Sequence, residues 1–340
     1  MKPTNQIMEL PPALAGDKSV LSEEAMQEIR ALSGAKPKAF FLQVLSAWTA
    51  IIAAVLIAEQ IDEIWASLIV IVIIATRMNI LGLLVHEQVH SLGLRNRFGD
   101  SLINLLTAYP LGITVENYAQ VHLSHHKHYF TESDPDFLRK SGPDWTFPMP
   151  WTRVLKLVLS DLSGLSFLKL LRGKRLQNSD VFNRKFPTPG WLRPSFYLAL
   201  AILLTALQAW HLFFVYWLLP LVTLMPLIVR LGAVCEHVYG KTSANVIESS
   251  PLILLRWWEK LLLPNLNFTL HAYHHFFPGM AFCNLPKVHA IFKREGLVNE
   301  KNLFHGYSGY LRYLQSASGI PGFRDQQEQT STHPFNPSKH

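Results

Sequence analysis

Charged side chains are scarce in this chain. Asp, Glu, Lys and Arg make up 16% of the 340 residues against 49% hydrophobic, and mean hydropathy is +0.16. That balance points away from an ordinary soluble enzyme and toward a chain partly dissolved in lipid. Cysteine is scarcer still. Cys235 and Cys283 are the only two, far apart and in no C-x-x-C pair, so no disulfide framework, rubredoxin-type site or thiolate-held iron–sulfur cluster is expected. No G-x-G-x-x-G and no P-loop occurs, so no nucleotide cofactor is expected on this chain. The opening stretch, MKPTNQIMELPPALAGDKSV, has no apolar run, so no cleaved signal peptide is expected. Acidic residues are fewer than basic ones, 24 against 31, which leaves a net charge of +7 and a pI near 9.3. Such a charge suits anionic lipid or an acidic partner protein, and no basic–aromatic motif favours nucleic acid.

Long apolar runs take the place of charge. Residues 22 to 32 (SEEAMQEIRAL) predict a short amphipathic helix opening at a Ser cap. Ala39 to Ala58 is the first run long enough to cross a bilayer, which needs about 20 residues. Ala66 to Val85 is the second, apolar apart from Arg77, Met78 and Asn79, and it runs straight into His86. Arg77 and Asn79 are expensive in lipid, so they are expected to face the interior or the interface. Residues 195 to 229 are apolar for long enough to cross twice, turning near Trp210 and His211, with Pro220 and Pro226 kinking the second crossing. Leu102 to Val115 is apolar but short, which favours an interfacial or re-entrant segment. Trp145, Trp151, Trp257 and Trp258 are expected to anchor at the membrane interface. The last fifteen residues are expected to be disordered.

Charge placement orients these runs. The link between the first two carries Glu59, Asp62 and Glu63 and no Lys or Arg, and the turn near His211 carries no charged residue. Nearly all Lys and Arg lie beyond the other ends, so both termini and the region 86–193 are expected to be cytoplasmic. The expected fold is an all-α integral, multi-pass membrane protein: four transmembrane helices, paired as two hairpins, under a cytoplasmic helical cap. Residues 1–38 would form an N-terminal cytoplasmic segment, 39–290 the membrane domain, and 291–340 a cytoplasmic tail.

Nine of the fifteen histidines are clustered: His86 and His90 in HEQVH, His122, His125 and His126 in HLSHH, His237 after CE, and His271, His274 and His275 in HAYHH. On a helix, positions i, i+3 and i+4 share a face, so each box presents its imidazoles together. Both apolar pairs end at the same membrane side, which brings all four clusters to one face. Eight or nine neutral imidazoles there can hold two metal ions, and nitrogen donors suit Fe, Cu and Zn. Three rival readings exist. HEQVH fits H-E-x-x-H, but a zinc protease needs one ion and three ligands, and no L-D-G-type element supplies an Asp ligand. A metal transporter would be expected to keep its ligands within the spans. Solvated surface histidines are the third reading.

H-x-x-x-H, then H-x-x-H-H, then a distant H-x-x-H-H, set between two hydrophobic hairpins, resembles the membrane-bound fatty acid desaturase superfamily over residues 39–290. The resemblance implies a four-helix mushroom holding two non-haem iron ions and O2-dependent oxidation of an unactivated C–H bond in a fatty acyl or other lipid chain. Desaturation is the commoner outcome of that chemistry, with hydroxylation or ketolation on the same scaffold as the alternative. It also implies an outside electron donor, a ferredoxin or cytochrome with an NAD(P)H reductase. By position, His86, His90, His122, His125, His126, His271, His274 and His275 take the ligand roles, with His237 as an isolated ninth. Two features depart from acyl-CoA desaturases. Ala233 stands where they carry an Asn, and E-H-V-Y-G is similar to the E-H-Y-G element of membrane alkane hydroxylases. Glu236 is then either a partner that orients an imidazole or a charge at a helix end. His128 is read as a surface residue. Glu132, Asp134 and Asp136 of TESDPDF are read as a solvated turn, with hydrogen bonds to the ligands as the alternative.

Overall fold

The computed structural model describes residues 10–172, 181–239 and 245–316, and it is helical over most of that length. The expected disorder of the last fifteen residues lies outside the described residues, as does Gly240 of E-H-V-Y-G. In chain order the helices that matter for the site are α1 (Glu23–Leu32), α2 (Pro37–Ile61), α3 (Ile64–Val89), α4 (Gly99–Ile103), α5 (Val115–Lys127), α6 (Pro135–Lys140), α7 (Trp151–Leu162), α8 (Leu165–Arg172) and α9 (Leu192–Ala206). After them come α10 (Trp210–Glu236, a broken run), α11 (Trp257–Leu262), α12 (His271–Phe276), α13 (Leu285–Arg294) and α14 (Gly306–Ser316).

Local signals account for the first hairpin. Ser22 Oγ accepts the Ala25 N–H at 3.2 Å and starts α1 as its sequence predicts. Pro37 opens α2, where a missing N–H costs nothing. Along α2, Phe40, Val44, Ala47, Ile51, Ala54 and Ala58 are all buried at three- and four-residue spacing, the period of one helical stripe. Half of that stripe is alanine, so α2 can lie close along α3. Leu42, Leu45, Ile52, Leu56 and Ile57 on the other side are each more than half exposed, as lipid-facing residues would be. Asp62 turns the chain at φ 51°, and α3 begins two residues later.

Among the described residues three helices, α2, α3 and α10, are long and apolar enough to cross a membrane. The fourth crossing expected from the sequence is α9, which has 15 residues. At 1.5 Å per residue it reaches about 22 Å, short of the roughly 30 Å of bilayer hydrocarbon. The turn after α9 lies at residues 207–209, with Gln208 at φ 52°, next to the expected position. α10 widens to a π-type stretch at Phe213–Leu218 and breaks at Thr223 (φ −112°, ψ −70°), between Pro220 and Pro226. The two prolines remove the N–H groups that would carry the helix through that point.

The short apolar run forms no helix long enough to cross. α4 continues as a π-type turn over Asn104–Ala108, reverses at Gly112 (φ 76°), and is relaunched where Thr114 Oγ1 caps α5 by accepting the Asn117 N–H at 3.0 Å. Trp48 Nε1 donates to the Leu106 carbonyl and Trp217 Nε1 to the Pro110 carbonyl, each at 2.9 Å, and the two indoles stack at 5.3 Å. The reversed segment is thereby tied between α2 and α10.

Around the ends of α3 and α10 the remaining helices form a cap, with one parallel strand pair, β1 (Ile253–Leu254) against β2 (Phe304–His305). Arg77 and Asn79 of α3 reach into it, donating to the carbonyls of Leu261 (3.2 Å) and Pro264 (3.1 Å), which bears out their expected orientation. Asp161 of α7 is fully buried and takes Arg230 of α10 through two bonds of 2.7 and 3.0 Å. Removing one member of such a pair costs about 3–5 kcal/mol, so α7 is firmly docked. Its other face is apolar: Trp151, Leu155, Leu159 and Leu162 are exposed at helical spacing, as in a helix lying on a lipid surface. Of the four tryptophans expected at the interface, Trp151 (73% exposed), Trp257 (77%) and Trp258 (40%) lie on the protein surface. Trp145 departs from that expectation: it is half-buried, with the Arg230 guanidinium 4.9 Å above its ring.

Candidate metal centre

Four chain segments deliver the imidazoles to one place. The last turn of α3 carries His86, and His90 caps the same helix. α5 presents His122, His125 and His126, and α12 presents His271, His274 and His275. α10 stops at Glu236, where the backbone turns extended and projects His237 (φ −144°, ψ 151°). The three boxes are helical, as the spacing predicts.

The nine rings meet as two adjoining groups. In the first, donor atoms of His86, His90, His122 and His274 all lie within 4.8 Å of one another; in the second, so do those of His125, His237 and His275. His126 sits between them, its Nε2 3.0 Å from both His122 Nε2 and His274 Nε2, and its ring stacked on His275 at 4.4 Å. The His271 ring lies 4.8 Å from His237, 4.7 Å from His275 and 5.1 Å from His274. His90 Nε2 approaches His122 Nε2 at 2.8 Å, and His275 Nε2 approaches His237 Nε2 at 3.3 Å.

These separations suit a shared ion. Two nitrogens bound at right angles with bonds of about 2.0–2.1 Å stand about 3 Å apart. Unpartnered atoms point the same way. Among the described residues, both nitrogens of His86, Nε2 of His125 and Nδ1 of His271 are buried with no hydrogen-bond partner, a costly state unless something else binds them. Burial, and next to it the charge that neighbouring imidazoles would carry, holds His122, His126, His271, His274 and His275 well below the ordinary imidazole range. Burial and the nearby Arg184 lower His90 to about 4. Rings kept neutral keep the lone pair that a metal needs.

Other side chains aim the rings. Asp134 Oδ2 accepts the Nδ1–H of His125 at 2.8 Å, which leaves the Nε2 lone pair facing the group. The solvated-turn reading of TESDPDF therefore fails for Asp134, which is fully buried, and stands for the exposed Glu132. Asp-Pro at 134–135 is legible as a helix start, and the same carboxylate caps α6 by accepting from Asp136 N (2.9 Å) and Phe137 N (3.1 Å). That it folds beneath His125 is not local information. Ser250 Oγ lies 3.0 Å and Tyr129 Oη 3.3 Å from His237 Nδ1. Arg184 donates to the carbonyls of Val89 (2.6 Å) and Gln88 (3.0 Å) and to both oxygens of Asp100 (2.7 and 2.8 Å), so it ties down the end of α3 that bears His86 and His90. No motif marked Ser250, Tyr129 or Arg184.

The two glutamates beside the histidines have other duties. Glu87 of HEQVH is buried, and its Oε2 accepts the backbone N–H of Phe282 at 3.1 Å. Glu236 lines a small cavity with Asn79, Leu83, Phe268 and Thr269, and among the described residues it makes no hydrogen bond to an imidazole. Phe268 forms the wall between that cavity and His86, ring to ring at 4.6 Å.

Residues 63–306 match the protein-family model described as fatty acid desaturase. The chain belongs to the fatty acid desaturase family. The matched stretch runs from Glu63, ahead of α3, to Gly306, the first residue of α14, so it contains all nine clustered histidines. No curated protein matches the chain. Membership and the three long apolar helices together make this desaturase-family chain a membrane protein, and its histidine groups are compatible with bound metal.

Proposed function

We propose that this protein oxidises an unactivated C–H bond of a fatty acyl or other lipid chain with O2 at a pair of iron ions, and that the product is an alkene. The observation that carries the reading is the pair of adjoining imidazole groups, buried at the ends of apolar helices in a chain of this family. His86, His90, His122 and His274 would hold one ion and His125, His237 and His275 the other, with His126 and His271 between them serving as further ligands. An iron pair, when bound, supplies the redox chemistry that activates O2 for taking hydrogen from carbon. The protein's own residues do the rest. The imidazoles offer neutral donors, and Asp134 and Ser250 fix ring orientation.

Alkene and alcohol differ by where a single oxygen atom ends, and the three boxes common to the family weigh toward the alkene. Expressed with a redox partner and fed fully deuterated fatty acid, the protein should yield a lipid lacking two deuteriums and carrying no added oxygen by mass spectrometry. A product with one added oxygen would overturn the alkene and favour the hydroxylase suggested by E-H-V-Y-G.

The membrane domain is taken as residues 39–290, with α9 and α10 as a second hairpin and with both termini and the imidazoles cytoplasmic. Trp191 and Arg193 at one end of α9 and Trp210 beyond the other are suited to draw the interfaces toward a short helix. Asp62→Cys should react with an impermeant thiol reagent only from outside the cell, and Arg97→Cys only from the cytoplasmic side. The reverse labelling would invert the arrangement.

A further inference from the structure

Electron balance makes a demand that the buried site cannot meet alone. Desaturation runs as R–CH2–CH2–R′ + O2 + 2 e− + 2 H+ → R–CH=CH–R′ + 2 H2O, so the substrate supplies two electrons and an outside reductant supplies the other two. Six of the nine imidazoles are buried and His90, His126 and His275 are half-buried, so metals held among them would lie beneath side chains that a carrier meets first.

We propose that a small acidic one-electron carrier protein docks over Trp145, and that its electrons reach the metal pair through the rings of Trp145, Tyr239 and His237. The proposal rests on the metal-oxidation reading above. Trp145 lies edge-on to Tyr239 at 5.6 Å, and Tyr239 lies edge-on to His237 at 5.8 Å. Phe130 doubles the inner step, stacked on Tyr239 at 5.7 Å and standing 5.3 Å from His237. Tyr239 and His237 are buried, whereas Trp145 is half-buried, so the row of rings runs from the protein surface to a ligand.

The row is rigid. Lys140 Nζ donates to Tyr239 Oη at 2.9 Å, and the Tyr239 hydroxyl donates to Asp136 Oδ2 at 3.1 Å. Arg230 lies over the Trp145 ring. Contacting π systems couple electronically better than saturated chain. In each transfer the reduced carrier loses one electron and the metal pair gains it, while the rings keep theirs and no bond forms or breaks.

Charge around Trp145 selects the partner. Lys140 and Arg230 lie over the Trp145 ring at 5.8 and 4.9 Å, paired with Asp136 and the fully buried Asp161, while Arg139 shares Asp136 with Lys140 and Arg153 pairs with Asp144. Arg139 (49% exposed) outreaches its partner Asp136 (14%), and Arg153 (44%) is only loosely paired with Asp144 at 3.8 Å, so both guanidinium groups face solvent. Together with the net charge of +7, this face attracts an acidic protein at long range.

The test uses the iron-loaded protein and a reduced acidic [2Fe–2S] ferredoxin as the probe, with ferredoxin oxidation followed by stopped flow. Trp145→Leu should slow metal reduction by ferredoxin by about tenfold or more, while reduction by dithionite and the iron content stay unchanged; Trp145→Phe should restore most of the rate. Arg139→Glu with Arg153→Glu should weaken ferredoxin binding by about tenfold at low salt, with the difference shrinking as salt rises. A Trp145→Leu protein reduced by ferredoxin at the wild-type rate, or binding indifferent to the charge reversal, overturns the route. Wild-type protein that holds no reducible iron instead overturns the reading beneath it.

Discussion

His125→Ala and His274→Ala should each abolish oxidation and strip bound iron, whereas His128→Ala and His305→Ala should leave both intact. One essential residue is drawn from each imidazole group. His125 Nε2 is buried and unpartnered, so the truncation removes a donor atom that is free to bind metal. His274 Nε2 stands 3.0 Å from His126 Nε2, so its loss opens the first group beside the imidazole that bridges to the second. Losing a hydrogen bond behind a ligand costs roughly 10- to 100-fold in metal affinity, and losing the ligand itself should exceed that. His128 is half-buried at the end of α5 and His305 is exposed on β2, both outside the two groups. Iron per chain in purified protein checks this: about two for the wild type and the two control variants, as a two-ion site requires. Two irons retained in His125→Ala would sink the ligand assignment.

Asp134→Asn should weaken metal binding by roughly 10- to 100-fold without changing a ligand. Asp134 Oδ2 accepts from His125 Nδ1 (2.8 Å) and Phe130 N (2.9 Å), and Oδ1 accepts from Asp136 N (2.9 Å) and Phe137 N (3.1 Å). An asparagine turns one of those oxygens into an NH2 group facing two N–H donors. Either two bonds to the α6 amides are lost, or the Phe130 N–H loses its acceptor and His125 must change tautomer and surrender the lone pair that faces the metal. Leaving buried donors unmet adds about 1–3 kcal/mol of destabilisation. Metal titration separates the two effects, because Asp134→Asn should show weaker affinity even under conditions where it is fully folded by circular dichroism. Glu132→Gln, exposed in the same turn, should match the wild type in both measurements. Equal affinity in Asp134→Asn and wild type would reduce Asp134 to a helix cap.

Local order explains why so much could be read from the chain. The boxes HLSHH and HAYHH are helical because i, i+3 and i+4 is a helical period, and they fall on α5 and α12. The hairpin of α2 and α3 follows from two runs of bilayer length with two turn residues between them, and the break in α10 follows from Pro220 and Pro226. α9 came out shorter than a full crossing because apolar composition sets where a chain can enter lipid, whereas hydrogen bonding sets where a helix stops. Gln208 at φ 52° and the Leu207 cap, whose N–H bonds to Leu203 and Thr205 carbonyls, end it early. Trp145 shows the same limit. Tryptophan is amphipathic, and only its neighbours Tyr239 and Arg230 decide whether it meets lipid or protein.

By itself the sequence determined that this is a helical membrane chain with nine histidines set to converge at one end of its spans, because hydropathy and helical period are properties of neighbouring residues. The tertiary structure alone decided how those nine divide. His86 and His90 join His122 and His274, which are 32 and 184 or more residues away in the chain, while His125 joins His237 and His275. Asp134 reaches His125, Ser250 and Tyr129 reach His237, and Arg184 ties the end of α3. Each of these is a contact between helices or loops whose approach is set by packing of whole faces, such as the alanine stripe of α2 on α3 or Arg230 on Asp161. No spacing within a single segment encodes that approach.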